Sequence, residues 1–212
     1  MSSPNLIDDL KWRYAVKKFD PSQKIPDAHW KTLLESVRLA ASSFGLQPFR
    51  LLEIKDRELR KKLRTVSWDQ SQITDADRML VFTHLRATDS THIQKYVTHW
   101  ANTRGVTVES LSGYRQGMLS ALESKQKDGT LSDWAARQAY LALGTALAAA
   151  AVMRIDACPM EGLDKQAYAT LLALNPNYEV TCVATFGVRS SLDEYQRAAK
   201  VRFPLDEIYE IR

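Results

Sequence analysis

The chain turns on Gln138-Ala139-Tyr140-Leu141-Ala142-Leu143-Gly144-Thr145-Ala146-Leu147-Ala148-Ala149-Ala150-Ala151-Val152-Met153, its longest run without a charge, bounded by Arg137 and Arg154. Sixteen residues fall short of a membrane span, which takes roughly 20. The apolar residues do not keep to one stripe, and a helix that is apolar all round is buried. The pattern therefore predicts a core helix. Gly144, Ala148 and Val152 recur four apart, a small-residue face that another backbone can approach. Next comes Ile155-Asp156-Ala157-Cys158-Pro159-Met160-Glu161-Gly162. Its Pro-x-Glu-Gly end has two readings, an ordinary turn or a turn that presents backbone amides to something bound.

Working outward, Thr130-Leu131-Ser132-Asp133 reads as a capping box that starts the long helix. Residues 164–174 read as a helix closed by Asn175-Pro176-Asn177, and 178–186 as a strand ending at Gly187. Towards the N-terminus, 78–85 with its MLVFTHL run is a second buried strand, and 49–54 a third strand. Residues 56–65 read as a charged surface helix. Asp27 after Pro26 is the expected N-cap of an amphipathic helix over 27–41, whose apolar face is Trp30, Leu33, Leu34, Val37 and Ala41. Residues 4–12 read as a short helix with Pro4 in its first turn. The 88–127 region reads as two more polar helices interrupted by Gly105, Gly113 and Gly117, and 208–211 as a short extended end. Few, widely separated strands among many helices predict α+β, a small sheet flanked by a helical layer.

The 212 residues, 45% hydrophobic, suffice for one large domain with a real core. A net charge of +4 without a dense basic stripe argues against a nucleic-acid module. The start, MSSPNLIDDLKW, lacks the basic end and apolar core of a secretory signal. Two cysteines, Cys158 and Cys182, make no disulfide framework. Together these predict a cytoplasmic protein with no membrane segment.

Several chemistries are excluded by missing motifs. No G-x-G-x-x-G follows a strand, there is no G-x-x-x-x-G-K-[ST], and there is no G-x-S-x-G. His29, His84, His92 and His99 form no zinc pattern and read as surface or core residues. What remains is cationic and comes from both ends: Arg13, Lys17 and Lys18, then Lys200 and Arg202. Ser42 and Ser43 add hydroxyls in a loop. Such a set suits a phosphate, while each cluster alone is also an ordinary solvated face. Spacing does not bring the two clusters together.

Five stretches in this order resemble the nitroreductase family of FMN-dependent oxidoreductases: Arg13-Tyr14-Ala15-Val16-Lys17-Lys18-Phe19-Asp20; Ala41-Ser42-Ser43-Phe44-Gly45-Leu46-Gln47-Pro48-Phe49; Gln138-Ala139-Tyr140-Leu141-Ala142-Leu143-Gly144; Pro159-Met160-Glu161-Gly162; and Lys200-Val201-Arg202-Phe203-Pro204. The resemblance covers nearly the whole chain. It implies a single FMN-binding domain over 1–212, with about 88–130 as a mobile helical cover, built on a mostly antiparallel small sheet. It also implies an intertwined homodimer with two FMN molecules at the interface.

By the same resemblance Arg13 and Lys17, with Lys200 and Arg202, meet the FMN phosphate and ring edge, and Tyr14 and Ala15 share that segment. Ser42, Ser43 and Gly45 reach the flavin held mainly by the other subunit. Gln138 and Leu141 lie near it on the central helix. Pro159, Met160, Glu161 and Gly162 line the isoalloxazine, with the Glu161 backbone amide near N5. Asp69 falls near a family position that is commonly Asn and polar to the ring. Ala15 stands where relatives often carry Ser, and Gly45 where Asn is common.

No side chain need act as acid or base, because the cofactor carries the chemistry. The activity implied is a ping-pong oxidoreductase in which NAD(P)H reduces the flavin and a small electron-poor acceptor, such as a nitroaromatic or quinone, reoxidises it. The rival is a non-catalytic protein with the same dimer fold that binds a flavin or another phosphate ligand.

Overall fold

In the computed structural model, which describes residues 6–87 and 90–212, the strands are β1 (Phe49–Glu53), β2 (Arg78–Leu85), β3 (Asp156–Met160) and β4 (Tyr178–Gly187). They form one sheet in the order β1-β2-β4-β3, with every neighbouring pair antiparallel. β2 and β4 take the centre because they are apolar on both faces and nearly all their residues are buried. β1, which pairs with β2 alone, is mostly half-buried. Between Phe82↔Cys182 and Thr83↔Val180 the register skips Thr181, a bulge that re-aims its hydroxyl.

Helices cover both faces. On one, α2 (Asp27–Arg38) and α7 (Leu131–Val152) pack Trp30, Leu33, Val37, Ala142, Ala146 and Ala150 against Leu80, Phe82, Ala184 and Phe186. The alanines, four apart, let α7 lie close to the sheet. Trp30 meets Phe186 edge-on at 5.5 Å, a favoured aromatic geometry. On the other face, α3 (Arg57–Thr65), α4 (Gln72–Asp75) and α8 (Lys165–Leu171) bring Leu63, Ile73 and Tyr168 onto Met79, Val81, Cys158 and Val183. A third cluster joins α5 (Ser90–Arg104) and α6 (Ser112–Lys127) to the start of α7 through Ile93, Val97, Met118, Leu122 and Trp134. α1 (Leu6–Trp12) and α9 (Leu205–Ile208) lie near the two ends of the chain.

Several sequence expectations are corrected. Pro4 lies outside the described residues. Asp27 is the first helical residue of α2, not its cap; Pro26 precedes it and supplies no side-chain bond. Thr130 makes no capping bond to α7, because its own backbone is close to helical. Side-chain caps of α-helices do form at Asp56, accepting from the Glu58 and Leu59 amides, and at Asp164, accepting from those of Gln166 and Ala167. Gly105 follows α5 with φ +65°, but Gly113 and Gly117 sit inside α6. Cys158, Pro159 and Met160 belong to β3, not to a turn; proline is tolerated because β3 is an edge strand. Ile208 closes α9 instead of opening an extended end.

Two corrections bear on packing. The expected surface helix α3 buries Arg60, whose guanidinium donates to the carbonyls of Ile54 (2.8 Å), Ala76 (2.7 Å) and Asp77 (3.1 Å). And α7 is not buried all round: Leu141 is 52% exposed and Val152 45%, while a Cβ on Gly144 would meet nothing within 4 Å. The small-residue face is open.

Candidate functional site

The segment after α1 runs beside β3. The Val16 amide donates to the Ala157 carbonyl (3.2 Å), and Ala15 forms a parallel bridge with Ala157. Phe19 then pairs with Arg189, and the Ser190 amide donates to the Lys18 carbonyl (2.9 Å). Val16 and Phe19 are buried, while Lys17 is exposed. The N-terminal cations are thus held on a nearly continuous backbone ladder.

The two ends of the chain meet here. The Lys200 ammonium donates to the Leu10 carbonyl (2.7 Å) and to that of Arg13. Burial, then the charge of Arg202, lowers the Arg13 pKa. Burial, then Arg13 and Arg202, does the same to Lys200. Among the described residues no carboxylate lies within ion-pair distance of Arg13, Lys17, Lys200 or Arg202. Like charges are therefore gathered without a counter-charge, an arrangement that an external anion relieves. A second cationic recess, about 420 Å³ and lined by Lys24, Glu53, Asp77 and Arg78 among others, differs. There Lys24 pairs with Asp77 (3.2 Å) and Arg78 with Glu53 (3.1 Å) and Asp27 (2.6 Å).

A carboxylate bonded to the backbone of this segment has other partners. Asp193, 1% exposed, accepts through Oδ2 from the Tyr14 phenol (3.0 Å) and the amides of Lys17 (2.8 Å) and Lys18 (3.2 Å). Its Oδ1 accepts from the Tyr195 amide (3.1 Å). Burial pushes its pKa up, but these four donors outweigh it and hold the group below the usual range.

Past Met160, the Glu161–Gly162 step is held on three sides. The Tyr140 phenol on α7 donates to the Glu161 carboxylate. The Gln70 amide donates to the Gly162 carbonyl (3.2 Å). The Trp68 indole lies over Gly162 so closely that a Cβ there would sit 2.6 Å from the ring. Trp68 is 83% exposed, and it and Asp69 both have left-handed backbones (φ 53° and 51°). The Asp69 carboxylate pairs with Arg64 at 2.8 Å. Pro159 is half-buried and Met160 buried in β3.

The serine loop docks elsewhere on α7. The Ser43 amide donates to the Gln138 side chain (2.8 Å), which itself donates to the Trp134 carbonyl (3.0 Å). The Ser42 hydroxyl accepts from the Gln47 amide (3.0 Å). Phe44 and Gly45 take φ 60° and 69°, and the Phe44 carbonyl accepts from the phenols of Tyr96 (2.8 Å) and Tyr114 (3.2 Å). Among the described residues no hydrogen bond, ion pair or ring contact joins this loop to the cations.

The expected site residues therefore fall into three groups. Arg13, Tyr14, Ala15, Lys17, Lys200 and Arg202 gather beside the outer edge of β3. Pro159, Met160, Glu161 and Gly162 continue from that strand. Ser42, Ser43 and Gly45 sit apart with Gln138, and Leu141 lies exposed. Sequence reasoning passed over Asp193, Tyr140 and Trp68. Tyr140 had a findable signal, lying between Gln138 and Leu141 on one helix. Asp193 and Trp68 are single residues in loops and carry no local pattern.

Comparison with known proteins agrees with this fold. The model of the Nitroreductase family matches residues 10–188. A Staphylococcus haemolyticus protein, provisionally named an NAD(P)H nitroreductase, is 30% identical over 97% of this chain and 96% of its own. Among solved structures, a Bacillus subtilis protein described as a nitroreductase superposes with a TM-score of 0.85 at 21% identity, covering 97% of this chain and 98% of that one. A protein from Exiguobacterium sibiricum, solved in complex with FMN, gives 0.79 at 19% identity, with 100% and 99% covered. The family match and the whole-length relative agree with the antiparallel sheet and its helices: this chain belongs to the nitroreductase family.

Proposed function

We propose that the protein is an FMN-dependent NAD(P)H oxidoreductase that reduces electron-poor acceptors, such as nitroaromatics or quinones, by a ping-pong mechanism. The observation that carries this reading is the convergence of Arg13, Lys200 and Arg202 without a carboxylate partner. A phosphate monoester, with about two negative charges, is the anion such a cluster suits. When bound, FMN supplies the redox chemistry.

The protein's own residues bind, orient and shield. Arg13, Lys17, Lys200 and Arg202 hold the phosphate and ring edge. A cation such as Lys17 or Arg202 favours the reduced, more anionic flavin by its charge. The Glu161 amide, Gly162, Pro159 and Met160 would line the isoalloxazine. Tyr140 steadies the Glu161 side chain, and the exposed Trp68 ring offers an aromatic wall. Ser42, Ser43, Gly45, Gln138 and Leu141 complete the site from the other copy. That assignment is supported by the separation of their loop from the cation cluster within one chain.

A homodimer is part of this reading. The exposed stripe of α7 with Leu141, Gly144 and Val152 offers a surface for a second copy. So does the end of the chain, where Phe203, Ile208 and Ile211 are all exposed. The β1 edge leaves backbone groups open for pairing.

The test is spectroscopic. Purified protein should bind FMN, its visible flavin absorption should bleach anaerobically on adding NADH or NADPH, and a quinone should restore it. Bound flavin that stays oxidised with both nucleotides would leave a flavin-binding protein and sink the enzyme reading.

A further inference from the structure

Asp193 is a buried carboxylate bonded to the backbone of two lysines, yet among the described residues it forms no ion pair. Its acceptor capacity is taken up by two consecutive amides, one phenol and the amide of Tyr195. This places it where the backbone ladder stops. That ladder runs from Asp20 to Val188 (2.8 Å) and from Ser190 to Lys18 (2.9 Å). Beyond it the Lys17 and Lys18 amides have the Asp193 side chain as their acceptor. The bond to Tyr195 meanwhile opens the 3₁₀ turn Glu194–Arg197, from which the chain leads to Lys200 and Arg202. Lys200 returns to the carbonyl of Arg13. Asp193 therefore bonds the 13–18 segment directly and caps the turn from which the chain reaches Lys200, without an ion pair to either set of cations.

We propose that Asp193 is a positioning residue that fixes the spacing of the 13–18 and 200–202 cations for a phosphate monoester; this rests on the FMN reading above. Its charge is dispersed over amides and a phenol, so the site stays cationic. An amide side chain cannot do the same: asparagine carries one carbonyl oxygen, and its NH₂ would face donors. Residues 159–162, expected at the ring, are not bonded to Asp193. A change at 193 should therefore weaken grip on the phosphate far more than grip on the isoalloxazine.

The experiment compares FMN with riboflavin, which lacks the phosphate, by fluorescence-quenching titration of wild type, Asp193→Asn and Tyr14→Phe. Circular dichroism and melting temperature report folding. Wild type should prefer FMN. Asp193→Asn should reduce that preference by about tenfold or more while riboflavin affinity stays within about twofold. Tyr14→Phe, which removes one donor of four, should reduce it by a few-fold. A folded Asp193→Asn with the wild-type preference, or with both ligands weakened equally, overturns the inference. If Asp193→Asn does not fold, Tyr14→Phe decides, and an unchanged preference there overturns it. A wild type that binds neither flavin sinks the FMN reading itself; one that binds both equally sinks the phosphate role of the cluster.

Discussion

The Tyr140 phenol and the Glu161 carboxylate, 21 residues apart, are joined by a hydrogen bond of 2.5 Å. It ties the middle of α7 to the step just past β3. Burial, then the bond to Glu161, pushes the phenol well above the ordinary tyrosine range, so it remains a donor at neutral pH. Nearby, burial and then the Glu161 charge push the Cys182 thiol up to about 12.

Tyr140→Phe should leave the fold intact and cost about 1 kcal/mol, the net worth of one partly exposed hydrogen bond. Urea denaturation measures the cost, and ultraviolet titration should show one fewer late-ionising tyrosine. A loss above about 3 kcal/mol would assign the phenol to packing instead.

Arg60 should matter more than its place on a charged helix suggests. Arg60→Met strips donors from three carbonyls at the ends of β1 and β2, and unsatisfied buried groups cost about 1–3 kcal/mol each. We expect at least about 3 kcal/mol lost in chemical denaturation. A change under about 1 kcal/mol would show that the carbonyls find water.

His84 sets an acid limit. Its ring nitrogens meet the hydroxyls of Thr181 (2.8 Å) and Ser132 (2.9 Å), with Glu179 at 3.3 Å. Burial lowers its pKa, and the charge of Glu179 works against that and Lys165 with it. The folded state thus binds this proton less readily than the unfolded chain does. Its contribution is fully present above the unfolded value of about 6.5 and is lost as pH falls through the folded one. His84→Gln should flatten the stability profile between about pH 7 and 5; an unchanged slope there would contradict the assignment.

Two glycines next to aromatic rings should respond differently to alanine. At Gly162 the Cβ meets Trp68, and that ring is exposed and able to move. Gly45 has φ +69° and meets the Tyr96 hydroxyl at 2.6 Å, which is itself bonded to the Phe44 carbonyl. Gly45→Ala should cost about 1–2 kcal/mol and Gly162→Ala less, with altered tryptophan emission. Equal melting temperatures for the two variants would refute this.

The open face of α7 gives a test of the dimer. Gly144→Arg introduces bulk and charge at a position where an added Cβ would meet nothing within 4 Å. The monomer should fold normally, while analytical ultracentrifugation should show a shift from dimer to monomer and flavin should be lost on gel filtration. A variant that stays dimeric removes this face from the interface.

The strands at 78–85 and 178–187, the helix at 131–152 and the α+β class are local facts of pattern, so the sequence by itself determined them. Apolar runs of strand length and a long uncharged helical run need no distant partner to be recognised. The cation content was equally plain. β3 was not legible, because Asp156–Met160 is short and carries a proline, and its pairing with β4 supplies the bonds that define it. Nor was the burial of Arg60, since three carbonyls from separate segments satisfy it. Only the tertiary structure decided that Arg13 and Lys200 meet and that one carboxylate, Asp193, accepts from the Lys17 and Lys18 amides. Hydrogen bonds spanning 176 and 187 residues leave no periodicity behind. They exist because the 13–20 segment packs along β3 and the chain after β4 returns to it.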